Sequence, residues 1–241
     1  MAEILFISDL HLAPERPEII DLFCRFVDDR ASAASALYIL GDFLEYWLGD
    51  DDRAEGLEPV FAALHRLTDK DIPVYLMHGN RDFLIGEDFA SRCGCQLIPD
   101  PFVTEFFGEK VLLSHGDSLC TDDVEYQAFK AQIRHPAQIK AFLDKPLSER
   151  ENIAQLLRQQ SREATRLKQS DIQDVNQEAV KEVMRQQGVQ LLIHGHTHRP
   201  AIHELTISDR KATRIVLGDW YSKGSYLSLK DSHDFNLNSW A

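Results

Sequence analysis

The stretch Val74-Tyr75-Leu76-Met77-His78-Gly79-Asn80-Arg81-Asp82 decides how the chain is read. Four residues of strand character follow Pro73, and a polar cluster begins as soon as they end. Asn80 offers a neutral oxygen ligand, and Arg81 places a fixed positive charge beside it. A cation and a guanidinium repel, so the pair makes sense when a metal lies on one side and an anionic substrate on the other.

The same event recurs along the chain. Residues 3–8 read as a buried strand followed by Asp9-Leu10-His11. Leu37-Tyr38-Ile39-Leu40 ends in Gly41-Asp42, and Val111-Leu112-Leu113-Ser114 ends in His115-Gly116-Asp117. Leu191-Leu192-Ile193 ends in His194-Gly195-His196-Thr197-His198. Loops at strand ends are where α/β folds gather their sites. Helical stripes separate these strands: Ile19, Phe23, Phe26 and Val27 within 15–33, then Val60, Phe61, Leu64 and Leu67. A third stripe, Ile172, Val175, Ala179 and Val183, stops at Gly188. Strand-like runs at 201–207, 214–218 and 225–229 cluster late, and the tail from Lys230 to Ala241 reads as polar and partly loose. Early alternation and late clustering predict an α/β fold with helices covering two facing sheets.

Residues 123–170 differ, with no strand signal and with helical runs such as Tyr126, Phe129, Ile133 and Ile153, Leu156, Leu157. They hold nine Lys or Arg against six Asp or Glu, a local +3 that leaves −16 for the rest of a chain whose net charge is −13. The expected organisation is a core of 1–122 and 171–241 with a helical cap inserted at 123–170. The overall acidity argues against a nucleic-acid partner, because phosphate contacts need a basic face. A small anionic substrate remains compatible with it. The four cysteines form no C-x-x-C pair and are expected to be reduced thiols. No apolar run approaches the roughly 18 to 20 residues of a membrane span, and no basic leader precedes the first strand. A cytoplasmic protein is expected, and no obligate protein partner is evident.

Asp9, His11, Asp42, Asn80, His115, His196 and His198, all at strand ends, make a mixed nitrogen and oxygen donor set. Such a set suits Mn²⁺, Fe²⁺ or Zn²⁺ and lacks the thiolates of a cysteine site. Seven donors are too many for one transition metal and about right for two if one carboxylate bridges. Two cations about 3.5 to 4 Å apart lower a water's pKa and neutralise charge on a phosphoryl group under in-line attack. An Asp-x-His or a Gly-Asp alone is a common turn; the ordered recurrence after strands carries the reading.

That order, with Gly41-Asp42, Gly79-Asn80 and Gly195-His196-Thr197-His198, resembles the calcineurin-like metallophosphoesterase superfamily over nearly the whole chain. The resemblance implies a four-layer αββα sandwich with Asp42 bridging two metals. Asp9, His11 and His198 would complete one site, and Asn80, His115 and His196 the other. Six motifs are similar to the UDP-2,3-diacylglucosamine diphosphatase family of lipid A biosynthesis: residues 6–12, Gly41-Asp42-Phe43, Met77 to Phe83, Leu113 to Cys120, His194 to Pro200 and Gly218-Asp219-Trp220. That likeness implies two Mn²⁺ per chain and metal-activated water attack at the α-phosphorus of a UDP-linked diacyl sugar, giving UMP and the lipid monophosphate. It places the chain peripherally on the cytoplasmic face of the inner membrane. Asp42, Asn80, Arg81 and His196 would be catalytic, with Asp123, Ser161, Thr165 and Lys168 as further substrate contacts beside Asn80, Arg81 and His196. Ser161, Thr165 and Lys168 share one helical face by their i, i+4, i+7 spacing.

Many superfamily members carry histidine where Arg81 stands. Arginine cannot give up a proton near neutral pH but grips a phosphate through two N–H groups. A phosphate leaving group needs less help from a general acid. A soluble-substrate phosphoesterase is the competing reading, opposed by Arg81 and the 48-residue insertion. A non-catalytic scaffold is opposed by the complete donor set. His78 and His194 are expected to orient ligands, and Asp82 to pair with Arg81 or an imidazole. Asp117 and Asp219 are expected to be turn or ligand-orienting carboxylates, and Asp50-Asp51-Asp52 a solvated loop. Tyr126, Phe129, Ile133, Ile139, Phe142 and Leu143 would either pack the cap or face acyl chains.

Overall fold

The computed structural model describes residues 3–167, 174–231 and 234–241, with side chains from 161 to 167 outside that description. The first half alternates: β1 (Ile4–Ile7), α1 (Pro17–Asp29), β2 (Ala36–Leu40), α2 (Glu58–Thr68), β3 (Val74–Met77), α3 (Glu87–Cys93) and β4 (Gln96–Ile98). A hairpin of β5 (Phe102–Phe106) and β6 (Glu109–Ser114) follows, then helices α4 (Val124–Ile133), α5 (Pro136–Leu143) and α6 (Leu147–Leu167). The chain resumes with α7 (Gln177–Gln187), β7 (Leu191–His194), β8 (Ala201–Ile207), β9 (Arg210–Val216), β10 (Gly224–Leu229) and β11 (Phe235–Trp240).

Two mixed sheets result, one of six strands in the order β11-β10-β1-β2-β3-β4 and one of five in the order β5-β6-β7-β9-β8. Strands β1 to β4 are mutually parallel, as are β6, β7 and β9. Alternation along each strand sorts the side chains into three buried cores. Leu5, Ile7, Leu37 and Ile39 pack beneath α1 and α2 with Phe23, Phe26 and Leu64. Phe6, Tyr38 and Leu40 face the other way and meet Leu113, Ile193 and Ile215 of the second sheet. Leu112 and Leu192 point outward from that sheet onto Val180 and Met184 of α7. Helix, sheet, sheet and helix are thus four layers held by three apolar interfaces, the expected αββα arrangement.

Local signals explain where these helices begin and end. Pro17 opens α1, where its missing N–H costs nothing. Asn176 caps α7 by accepting from the N–H groups of Glu178 and Ala179, and Gly188 closes it at φ 65°. Leu192→Ala should cost about 2–5 kcal/mol by removing a fully buried side chain between sheet and helix. Urea denaturation followed by far-ultraviolet circular dichroism measures this directly.

Several elements depart from the sequence reading. The tail is ordered as β11, paired antiparallel to β10 from Phe235 to Trp240, with Phe235 and Leu237 packed against the core between the sheets. Its alternating Phe-Asn-Leu-Asn pattern is that of a half-buried strand, which its polar composition obscures. The hairpin of β5 and β6 turns through Phe107 and Gly108, both at positive φ. An aromatic residue at the first turn position gives no turn signal, so β5 reads as unstructured sequence. Ile172 and Lys168 lie outside the described residues.

Candidate metal centre

The candidate residues converge where β1, β2, β3, β6 and β7 end. The loops leaving β1 and β2 continue side by side, with hydrogen bonds from the N–H of Asp9 to Gly41 O, of His11 to Asp42 O and of Glu45 to Leu12 O. Glycine permits the crowding. A Cβ on Gly79 would stand 2.1 Å from the Asp42 backbone nitrogen, and one on Gly195 would stand 2.4 Å from Asp9 Oδ2. Asp9, His11, Asp42, His196 and His198 all adopt positive φ, five of ten such non-glycine positions among the described residues. Each conformation costs of order 1–3 kcal/mol, and such strain clusters at functional sites.

Asp42 lies between two imidazoles. Its Oδ2 is 3.8 Å from His11 Nε2, and its Oδ1 is 3.8 Å from His115 Nε2. Two donors sharing an ion at about 2.1 Å stand roughly 3 to 4 Å apart, so each carboxylate oxygen lies at a distance from its imidazole that a shared cation would fit. Two donor clusters follow, Asp9 with His11 and His198, and Asp9 with Asp42 and His115. Asn80 Oδ1 lies 3.1 Å from His115 Nε2. His196 falls in neither cluster; its ring packs against His115 at 5.1 Å, and its backbone N–H donates to Asp9 Oδ2. Both ring nitrogens of His11 are buried without a hydrogen-bond partner, and Nε2 is the one facing Asp42. An orphaned imidazole nitrogen facing a carboxylate, in a nitrogen and oxygen donor set, fits a divalent metal.

The supporting hydrogen bonds orient these donors. Ser8 Oγ donates to Asp9 Oδ2 at 2.6 Å, and the Arg81 backbone N–H donates to Asp42 Oδ1 at 2.8 Å. His115 Nδ1 contacts Leu40 O at 2.9 Å, leaving Nε2 toward Asp42. His198 Nδ1 stands 3.5 Å from Asp219 Oδ2, and His78 Nε2 is 2.6 Å from Ile85 O. His194 is fully buried, with Nδ1 against Gly195 O and Nε2 near Arg214. Burial pulls the His115 imidazole down, but the Asp42, Asp117 and Asp9 carboxylates outweigh it and raise it to about 9. Burial and the neighbouring His115 push His196 down to about 4. Burial raises the Asp9 carboxyl, yet the His198 hydrogen bond and nearby imidazoles hold it well below the usual range. The field that favours a protonated His115 would also attract a cation.

Some residues differ from their sequence reading. Asp82 pairs with neither Arg81 nor an imidazole; it is fully buried and accepts from the N–H groups of Gly79, Phe43 and Leu44, pinning two strand-end loops. Asp50 is no solvated residue either, since it accepts from Trp47 Nε1 and from the N–H groups of Gly86, Asp88 and Phe89 at the start of α3. Asp51 pairs with Arg150 of α6. Asp123 is the N-cap of α4, accepting from the Tyr126 N–H. Ser161 and Thr165 lie on α6, where side chains are undescribed.

Asp117, expected as a turn or ligand-orienting carboxylate, also anchors a helix, and Glu45 was not anticipated at the site at all. Asp117 is buried and accepts from the Tyr126 hydroxyl at 2.7 Å while pairing with Lys130 at 2.8 Å, which fastens α4 beside His115. Glu45 is buried against His11. Asp117 belongs to the polar cluster that ends β6, whereas Glu45 follows no strand directly, so position along the chain gives no clue to it. A cavity of about 1,630 Å³ opens over the cluster. His11, Asp42, Asn80, Arg81, His196 and His198 form its polar side, and Tyr126, Phe129, Ile133, Ile139 and Phe142 its apolar side.

Residues 2–200 match the calcineurin-like phosphoesterase family. The chain belongs to that family. Within it, a protein of Stenotrophomonas maltophilia (strain R551-3) named UDP-2,3-diacylglucosamine hydrolase is 50% identical over 242 residues, covering 98% of this chain and 97% of the relative. A Marinobacter nauticus protein of the same name is 53% identical over 216 residues, 90% of this chain and 88% of the relative. One from Pseudomonas aeruginosa (strain UCBPP-PA14), again so named, is 50% identical over 226 residues, 94% of each chain. This calcineurin-like phosphoesterase therefore aligns with those relatives nearly end to end. Among the described residues, no helix is long and apolar enough to cross a membrane.

Proposed function

We propose that the chain hydrolyses the pyrophosphate of UDP-2,3-diacylglucosamine at the α-phosphorus, releasing UMP and 2,3-diacylglucosamine 1-phosphate. The observation that carries this reading is the half-identity, over nearly full length, to relatives bearing that substrate in their name. Asp9, His11, Asp42 and His198 would hold one Mn²⁺, and Asp42, Asn80, His115 and His196 a second. Bound there, the two ions would supply an acidified water as nucleophile and counter-charge for the phosphoryl oxygens.

Arg81 is proposed to grip the pyrophosphate. Among the described residues no hydrogen bond or ion pair engages its guanidinium, which lines the cavity. Asn80 and His196 border the same space and would orient the phosphoryl oxygens from the other side. Asp42 and Asp9 would keep the imidazoles aligned for the approach. Asp123, Ser161, Thr165 and Lys168 would supply further contacts to the substrate.

Residues 123–170 would act as a cap. Helices α4 and α5 bury none of their own residues, yet Phe129, Ile133, Ile139 and Phe142 line the cavity. Apolar side chains left unburied beside a polar centre suit acyl chains, each buried CH₂ being worth about 0.8 kcal/mol. The positive charge of the segment would favour docking on an anionic membrane surface, here the cytoplasmic face of the inner membrane.

Incubation with UDP-2,3-diacylglucosamine and Mn²⁺ in detergent should release UMP, read by anion-exchange chromatography. Release of UDP, or no release alongside hydrolysis of cyclic nucleotides, would reject the substrate assignment.

A further inference from the structure

Glu45 lies outside the seven proposed donors, yet its carboxylate is placed between the donor cluster and the long helix of the cap. The pairing of Leu12 with Leu44, and the hydrogen bond from the Glu45 N–H to Leu12 O, carry it to the flank of His11. Its Oε2 stands 3.1 Å from His11 Nδ1, and its Oε1 stands 3.4 Å from Arg158 Nε on α6. The Arg158 guanidinium also lies over the Tyr46 ring, 4.7 Å from its centroid. Glu45 and His11 side chains are 12% and 4% exposed, so water competes little for this contact.

An imidazole that donates one N–H to a carboxylate presents its other nitrogen as a lone pair. His11 Nδ1 stands 3.1 Å from Glu45 Oε2 without yet meeting hydrogen-bond geometry, and a small rotation that completes the bond would leave Nε2, the atom facing Asp42 Oδ2, free to ligate. Carboxylate partners of this kind hold ligand imidazoles in one tautomer and one orientation, and their loss costs roughly 10- to 100-fold in metal affinity. As a carboxylate, Glu45 has two oxygens, one able to accept from His11 and the other to pair with Arg158.

We propose that Glu45 is a positioning residue with two tasks: it fixes His11 as the Nδ1–H tautomer so that Nε2 faces the metal, and it ties α6 to that ligand through Arg158. A change in the seating of the cap would then reach His11 by way of one carboxylate. The inference rests on the two-metal reading, and its test keeps the two apart.

In metal-free, ¹⁵N-labelled protein, long-range ¹⁵N–¹H spectra should show His11 as the Nδ1–H tautomer, and Glu45→Ala should give a mixture of tautomers. Titration with Mn²⁺, following free ion by electron paramagnetic resonance, should show two sites in the wild type. Glu45→Ala should weaken one of them about 10- to 100-fold. Glu45→Gln keeps an acceptor for His11 but loses the charge that pairs with Arg158. It should bind Mn²⁺ within a few-fold of wild type while amide exchange in α6 quickens, as it should in Arg158→Ala. Circular dichroism shows whether each variant is folded, and Glu45→Gln serves if Glu45→Ala is not. Wild-type affinity and an unchanged His11 tautomer in folded Glu45→Ala would overturn the orienting role. Unchanged exchange in both Glu45→Gln and Arg158→Ala would overturn the tether. A wild type that binds no Mn²⁺ would sink the two-metal reading and this inference with it.

Discussion

Asp42→Asn is expected to lower turnover by a thousandfold or more and to leave the protein with at most about one Mn²⁺ per chain by elemental analysis. The expectation follows from geometry. The two carboxylate oxygens of Asp42 face different imidazoles at equal distance, so one substitution would disturb both of the places proposed for a cation. Asparagine keeps the volume and one acceptor oxygen but replaces the other with an amide that cannot ligate. It also removes the negative charge that, with those of Asp9 and Asp117, raises His115. A thousandfold loss corresponds to about 4 kcal/mol of transition-state stabilisation, within what a bridged pair of cations supplies. Asp42 Oδ1 also accepts from the Arg81 N–H, so a control for misfolding is needed. A circular dichroism spectrum like the wild type's, with both metals retained and near-normal rate, would refute the bridging role.

The contrast between what the residues disclose and what the fold adds is sharpest at this site. Strand ends were legible because each run of apolar residues stops abruptly at polar side chains, as Ile7 does before Ser8 and Asp9. Gly79 and Gly195 were legible as punctuation, and the close approach of Asp42 and Asp9 supplies the physical reason. The left-handed backbone at His11, Asp42 and His198 was not, since such conformations are rare outside glycine and are imposed by surrounding packing. Asp82 illustrates the same limit. An aspartate next to an arginine suggests a local pair, but three backbone N–H groups, two of them from residues near position 43, compete for it and win. Glu45 acquires its partner on α6, more than a hundred residues on, so its placement depends on a contact far apart in the chain. Strand β11 was missed for a different reason: Asn236 and Asn238 alternate with Phe235 and Leu237, and the polar composition hid that alternation.

Arg81→Ala should lower kcat by about 10²- to 10³-fold while both Mn²⁺ remain bound, the range seen when one charge-stabilising donor is removed from a reacting centre. The residue's main chain and side chain have separate duties. Its backbone N–H holds Asp42 Oδ1 at 2.8 Å, a contact that alanine keeps, so the donor cluster should survive. Its guanidinium lines the cavity and is engaged by no hydrogen bond or ion pair among the described residues, which leaves it available to a phosphate. Arg81→Lys separates charge from shape. An ammonium restores the positive charge but not the planar fork that meets two phosphate oxygens at once, so it should recover only part of the loss. If charge alone mattered, lysine would restore the rate. If the side chain instead served as a proton donor, the pH profile of the wild type would show a descending limb that Arg81→Lys shifts. A guanidinium stays protonated across the working range, so the wild-type and lysine profiles should run parallel. Loss of Mn²⁺ from Arg81→Ala would place the side chain in the metal cluster and reject its assignment to the pyrophosphate.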